Sequence, residues 1–314
     1  MLLPILSLLA GFILLMWSAD TFTDNGAKIA RIFNISPLVI GLLIFGFGTS
    51  APEMLVSGLA AYDGHPEMSI GNAFGSNILN IGLVLGVTAI ILPITVEKSV
   101  LKKEWLFLFL STLIVGFLLL DGFLSFTDGL ILISLLTLFL INVFRESKKN
   151  NLTDSDNDSL ENNSQKNDKG RTWLLLIVSL IILVSSARLV VWGGTSLALS
   201  FGVSDLIIGL TVVALGTSLP ELAVSISSAL KKQHQMVIGN IIGSNLFNTL
   251  GVLAIPGLIL PFQIPPEVMS RDFFFMLMFT LLVLILSMRL KISRFGGFIL
   301  LTALAIYLYQ LFWI

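Results

Sequence analysis

GTSAPE (Gly48–Glu53), followed by GNAFGSNILN (Gly71–Asn80), returns further along the chain as GTSLPE (Gly216–Glu221), followed by GNIIGSNLFN (Gly239–Asn248). Both copies lie in otherwise apolar sequence, and each puts a glutamate where a membrane span is expected. The copies are offset by 168 residues, and the match continues outside them: Gly41 falls on Gly209, Ser57 on Ser225, Pro93 on Pro261, and Lys103-Glu104 on Arg271-Asp272. This is an internal duplication. An ionisable side chain at membrane depth is expensive and reads as functional, and one from each repeat reads as a single shared ion site.

Composition sets the solvent. Of 314 residues, 55% are hydrophobic and 12% charged, with apolar runs of bilayer-crossing length recurring from end to end. A soluble domain has too little core to hide such runs. The absence of cysteine excludes disulfides, thiolate metal sites and cysteine nucleophiles. The first apolar run, Leu2 to Ser18, has no charged n-region and leads into Asp20 and Asp24, so it reads as a retained span.

The runs predict an all-α integral membrane protein of ten helices. Spans are expected at Leu2 to Ala30, Ser36 to Tyr62, Ser69 to Val96, Glu104 to Leu120 and Asp128 to Phe144, then at Thr172 to Leu199, Ser204 to Leu230, Met236 to Leu260, Asp272 to Met288 and Phe295 to Trp313. Residues 1–146 form the first five-helix repeat and 171–314 the second. Between them Ser147 to Gly170 is rich in Asn, Asp, Ser and Lys and is expected to be a disordered linker. Five spans is an odd number, so a continuous chain inserts its second repeat upside down relative to its first. Charge placement agrees. With both termini outside and the linker in the cytoplasm, the outward side keeps only Arg188 and Arg271 of the chain's 18 basic residues.

The motif chemistry is oxygen chemistry. Pro52 and Pro220 precede the glutamates; a proline inside a helix has no N–H, which frees the carbonyls of Gly48 and Gly216 and tilts out those of Thr49 and Thr217. Ser50 and Thr49 lie three and four residues before Glu53, so hydroxyl, carbonyl and carboxylate share one helix face. Ser76 and Asn80, like Ser244 and Asn248, are four apart and add a second stripe. Oxygen donors with two carboxylates suit Ca²⁺ and Na⁺ and disfavour zinc or copper. Two carboxylates about 6 Å apart at an effective dielectric near 20 repel by roughly 3 kcal/mol, so a cation between them, or a proton on one, is required. Gly71, Gly75, Gly239 and Gly243 have the small-xxx-small spacing of close helix packing, and Asn72, Asn77, Asn240 and Asn245 read as structural. Asp20 and Asp24 map onto Arg188 and Trp192, break the repeat symmetry, and receive no role.

At these residues the chain resembles the sodium/calcium exchanger family of the calcium/cation antiporter superfamily, whose two alpha repeats the paired GTSxPE and GNxxGSNxxN segments match. The resemblance covers the chain outside the linker. It implies a prokaryotic, inner-membrane antiporter rather than an enzyme, with no cofactor and no nucleic-acid partner. Its monomer would suffice for transport and its cargo would be Ca²⁺ and Na⁺. It implies Ca²⁺ held by Glu53, Glu221 and the carbonyls of Thr49 and Thr217. Three Na⁺ would use overlapping oxygens of the two glutamates, Thr49, Ser50, Ser76, Thr217, Ser218 and Ser244, with carbonyls at Gly46 and Ala214, while Asn80 and Asn248 complete the middle of the site. Many members carry Asp where this chain has Asn248; the amide removes a third carboxylate and argues against potassium coupling. The rival readings are a Ca²⁺/H⁺ antiporter, a potassium-dependent exchanger and, more distantly, a cation channel or an intramembrane hydrolase.

Overall fold

A computed structural model describes residues 2–153, 169–201 and 214–313. Apart from four two-residue strands and short connecting turns, the described chain is helical. In lipid each backbone polar group must be satisfied within the protein, and the helix does this segment by segment. In order come α1 (Leu2–Ile32), α2 (Pro37–Tyr62), α3 (Pro66–Ile91), β1 (Ile94–Thr95), α4 (Lys98–Lys102), α5 (Glu104–Leu118), β2 (Phe123–Leu124) and α6 (Phe126–Thr153). The second half holds α7 (Lys169–Ser200), α8 (Ala214–Thr217), α9 (Leu219–Leu230), α10 (His234–Ile259), β3 (Phe262–Gln263), α11 (Val268–Ser287), β4 (Lys291–Ile292) and α12 (Arg294–Trp313).

Eight of the described helices are long and apolar enough to cross a bilayer: α1, α2, α3, α6, α7, α10, α11 and α12. Two expected spans differ. The one at Glu104 to Leu120 is a 15-residue helix, and the one at Ser204 to Leu230 is described only from Ala214, leaving Ser204 and Gly209 outside the described residues. The linker also begins later than expected. Helix α6 runs on through Thr153 and α7 already starts at Lys169, because extending a formed helix through residues such as Glu146, Lys148 and Lys149 needs no new nucleus. Residues 154–168 lie outside the described residues.

Prolines set two other boundaries. The third span was expected to reach Val96, but α3 stops at Ile91, with Leu92 extended (φ −139°, ψ 122°) ahead of Pro93. Leu260, ahead of Pro261, is likewise extended (φ −146°, ψ 90°). Each extended residue leads into a strand. β1 pairs with β4 (Ile94 with Ile292, Thr95 with Lys291), and β2 pairs with β3 (Leu124 with Phe262, Phe123 with Gln263). Shifted by 168 residues, each ladder becomes the other, which is the exchange of partners that a two-fold relation between the halves produces.

The main core surrounds α3 and α10, with Ile70, Phe74, Ile78, Leu85, Ile241, Leu246 and Leu250 all buried. A second cluster, including Leu15, Phe22, Phe45, Leu183 and Val224, joins α1 and α7 to that centre. The chain is a membrane protein whose polar content is turned inward: Thr49, Ser50, Ser57, Ser225, Ser244 and Asn248 are wholly buried while Leu2, Leu59, Phe117 and Phe295 face out.

Candidate functional site

Helices α2 and α10 cross with their backbones in contact. A methyl on Gly41 would lie 2.9 Å from the Cα of Gly239, and one on Gly46 would lie 2.8 Å from the Cα of Gly243. Only glycine tolerates that approach. The packing expected of Gly239 and Gly243 is therefore observed. A methyl on Gly71 or Gly75 would meet no described atom of another segment within 4 Å, and the residues that the repeat would put there fall at or next to 202–213, outside the described residues.

The close crossing brings Thr49 of one half to Ser244 of the other, their hydroxyls hydrogen-bonded at 3.2 Å. Thr49 Oγ1 also donates to the carbonyl of Phe45 at 2.9 Å and to Asn240 Oδ1 at 3.5 Å. One turn on, Glu53 is 1% exposed, and Glu221 in α9 matches it at 1%. The C-terminal part of α2 packs on Phe247–Val252 and α9 packs on Asn80–Leu85, so each glutamate-bearing helix lies against the other half. Glu53 and Glu221 are within electrostatic reach of one another.

Backbone irregularity is concentrated here. Three π-helical stretches, Gly41–Phe45, Asn80–Leu85 and Phe247–Val252, sit beside the motifs, and Asn80 and Asn248 lie within the latter two. Such stretches leave backbone carbonyls off the regular ladder and recur at functional sites. The prolines act differently in the two halves. Pro52 is inside an unbroken helix, whereas a turn at Ser218 separates α8 from α9 and puts Pro220 in the first turn of α9, where its missing N–H costs nothing.

Paired asparagines hold the glutamate backbones. Asn72 Nδ2 donates to the Glu53 carbonyl at 3.2 Å and to Ser57 Oγ at 3.0 Å; Asn240 Nδ2 donates to the Glu221 carbonyl at 3.3 Å and to Ser225 Oγ at 3.1 Å. Asn77 donates to Thr249 Oγ1 at 2.7 Å. These three asparagines have the structural role their position suggested. Asn245 does not share it: its amide is buried without a partner among the described residues, since Ile81 stands where repeat symmetry would need a hydroxyl like that of Thr249. Asn240→Ala is expected to lower the unfolding free energy by about 1–2 kcal/mol, from two lost buried hydrogen bonds, read by denaturation in detergent.

A subset of the motif groups is buried and, among the described residues, unpaired. Both carboxylate oxygens of Glu53 and of Glu221, the hydroxyls of Ser50 and Ser218, and the amides of Asn80 and Asn248 are buried with no partner among the described residues. Every one of these atoms has its repeat mate in the same condition. A buried polar group left unmatched costs about 1–3 kcal/mol, more when charged, so such a symmetric cluster needs an occupant to supply the missing interactions. Among the described residues neither glutamate has an ion-pair partner, and no three acidic or histidine side chains converge, which leaves neutral oxygens to complete any coordination shell. Ser76 is buried beside Asn72 (3.4 Å between Oγ and Oδ1), Ser244 is held by Thr49, Gly46 is sealed against Gly243, and Ala214 opens α8, which packs on α3. Thr217 is half-buried and lines a cavity of about 380 Å³ with Pro52, Val56, Arg188, Val191, Gly216 and Pro220. On α2 its lining runs from Pro52, beside Glu53, to Val56, one turn further toward Tyr62.

On the opposite side α1 closes against α9. Lys231 Nζ reaches Asp20 Oδ1 at 2.6 Å and Asp24 Oδ1 at 2.7 Å, and the Thr23 and Ser227 hydroxyls meet at 2.8 Å. Asp20 and Asp24, which motif and symmetry left without a role, are thus an inter-helix anchor.

The sodium/calcium exchanger protein family matches the chain twice, over residues 3–145 and 171–313. Inner membrane protein YrbG of Escherichia coli is 36% identical over 319 residues, covering 100% of this chain and 98% of YrbG. Sodium/calcium exchanger MaX1 of Methanosarcina acetivorans is 29% identical over 355 residues, covering 98% of each. A solved structure of the sodium-calcium exchanger NCX_Mj, soaked without Na⁺ and Ca²⁺, superimposes with a TM-score of 0.84 at 38% identity over 99% of both chains. With a family match over nearly the whole chain, repeated once in each half, the protein belongs to the sodium/calcium exchanger family.

Proposed function

We propose that this chain is a secondary active antiporter that exchanges Na⁺ for Ca²⁺ and normally extrudes Ca²⁺ on the inward Na⁺ gradient. The observation that carries the reading is the mirrored set of buried, unpartnered atoms on Glu53, Glu221, Ser50, Ser218, Asn80 and Asn248. Glu53 and Glu221 ligate Ca²⁺ with the carbonyls of Thr49 and Thr217. The hydroxyls of Thr49, Thr217, Ser50, Ser218, Ser76 and Ser244 and the carbonyls of Gly46 and Ala214 complete overlapping Na⁺ positions.

The exchange rule follows from charge. Two carboxylates neutralise one Ca²⁺, or leave one surplus positive charge with three Na⁺, and shared ligands make the two loads mutually exclusive. An unloaded dianionic site resists moving through the low-dielectric interior, which suppresses leak. Each turnover then moves net charge, so transport is electrogenic.

The layout that serves this cycle has ten spans in two inverted repeats of five, both termini outside and the linker in the cytoplasm. The 168-residue offset, the exchanged β ladders and the basic-residue asymmetry support it. In that orientation the cavity beside Val56 faces outward and the α1–α9 contact closes the cytoplasmic side. Access alternates as α1 and α7 slide across the core of α2, α3, α9 and α10.

The test is ⁴⁵Ca²⁺ uptake into proteoliposomes driven by an outward Na⁺ gradient, with membrane voltage clamped by K⁺ and valinomycin. Uptake is expected to require the gradient. Three Na⁺ leaving for each Ca²⁺ entering carry one net positive charge outward, so an interior-positive potential should accelerate uptake and an interior-negative one should slow it. The sign of the voltage effect separates the readings, because passive Ca²⁺ entry through a channel is accelerated by an interior-negative potential instead. Uptake driven by a pH gradient alone would replace Na⁺ with H⁺ as the counter-ion.

A further inference from the structure

The anchor between α1 and α9 has a repeat-related counterpart with its charges exchanged. Shifted by 168 residues, Asp20 becomes Arg188 and Lys231 becomes Asp63. The backbone frames agree: Asp63 and Lys231 are the C-caps of α2 and α9, with φ, ψ of −77°, 1° and −83°, 6°, and each is followed by a residue of positive φ, Gly64 at 86° and Lys232 at 58°. Asp20–Lys231 is closed at 2.6 Å. Arg188 instead lines the cavity beside Pro52 and Val56, and among the described residues neither Arg188 nor Asp63 has an ion-pair partner.

We infer that Asp20–Lys231 and Asp63–Arg188 are alternating latches, the first holding the cytoplasmic side shut in the outward-facing state and the second holding the outer side shut in the inward-facing state. The inference rests on the alternating-access reading above and names the residues that bias its two states. Val56 and Asp63 are seven residues apart, about 10 Å along a helix, so Arg188 meets Asp63 only when α7 closes over the cavity. Asp63 lies at the carboxyl end of its helix, where the macrodipole disfavours a carboxylate, and a guanidinium in the closed state answers that. Lys231 donates in addition to the Asp20 carbonyl at 2.8 Å and to Thr23 Oγ1 at 3.2 Å, and Ser227 donates to Asp20 Oδ1 at 3.1 Å, so the closed latch is a network rather than a lone pair. Because α1 and α7 pack along each other, with Gly11 against Val190 and Gly193 against Pro4 and Leu8, one sliding movement opens one latch as it closes the other.

The test uses the cysteine-free chain, in which one introduced thiol is the sole reporter. Val224 is buried in α9 and is the repeat mate of Val56, so Val224→Cys reacts with a thiol reagent in proportion to the inward-facing population. Lys231→Ala is expected to raise its labelling rate about two- to tenfold, the range for losing partly exposed ion pairs, and Arg188→Ala to lower it by a similar factor. Lys231→Arg should keep the wild-type rate, and the exchange Asp63→Arg with Arg188→Asp should recover the rate that either reversal alone disturbs. An unchanged rate in Lys231→Ala, or a shift of the same sign in both alanine variants, overturns the latches. Sodium-driven Ca²⁺ uptake is measured on the same preparations: intact uptake with unmoved reporters removes the latches alone, whereas absent uptake in the cysteine-free wild type removes the exchange reading beneath them.

Discussion

Glu53→Gln and Glu221→Gln are each expected to reduce Na⁺-driven ⁴⁵Ca²⁺ uptake at least about 100-fold. Glutamine keeps the shape and most of the packing of glutamate, so the change isolates charge. With one carboxylate left, bound Ca²⁺ carries one surplus positive charge and three Na⁺ carry two, in a site where both side chains are 1% exposed. Leaving a buried charge uncompensated costs about 3–5 kcal/mol, and about 1.4 kcal/mol is a factor of ten. The double variant should be little worse than either single one, because groups that act as a unit do not lose function additively. Stability should move the other way: each substitution removes part of the repulsion between two buried carboxylates, so the apparent Tm without Ca²⁺ should hold or rise. Uptake within threefold of wild type in both variants would remove these glutamates from the site.

Much of this architecture was legible because the membrane simplifies the problem. Apolar runs declare helices, and α10 and α12 lie within two residues of the ends expected for them. The motifs declared the glutamates and serines because a polar or ionisable residue within a span is costly and persists there through function. What sequence missed is non-local or geometric. The Lys231–Asp20 pair joins residues 211 apart, and hydropathy cannot show that two acids near the end of one span face the cap of another. Its one available signal was the charge exchange on superimposing the repeats, which looks like broken symmetry until the contacts are seen. The π-helical stretches at Asn80–Leu85 and Phe247–Val252 carry no compositional mark, since these segments are apolar nearly all round and a shifted helix face leaves no visible break. The two prolines sit at equivalent positions, yet the chain turns only at Ser218; local sequence does not decide whether a proline kinks a helix or restarts one. Asn245 shows the same limit, since an identical residue at position 77 donates its amide N–H to a threonine that has no counterpart in the other half.

Gly243→Ala is expected to damage both fold and transport, although it adds one methyl. An added Cβ would press on the Leu42 carbonyl oxygen and lie 2.9 Å from Leu42 Cα and 3.0 Å from its carbonyl carbon. These are backbone atoms of α2, so no rotamer change relieves the contact and the two helices must part. Overpacking of this kind costs about 1–3 kcal/mol, with a fall in apparent Tm of roughly 5 °C. The adjacent residue, Ser244, holds Thr49 at 3.2 Å, four residues before Glu53 on α2. Separating α2 from α10 therefore loosens the link between the halves at the proposed ion site, where a misplacement of about 1 Å is worth roughly 100-fold in rate. Gly58→Ala is the control: its Cβ would meet only Ile255 Cγ2, at an ordinary 3.5 Å, and alanine is the better helix former by about 1 kcal/mol. Thermal unfolding in detergent and Na⁺-driven uptake should both fall for Gly243→Ala and hold for Gly58→Ala. Equal behaviour of the two would mean that the backbone contact between α2 and α10 does not position the site.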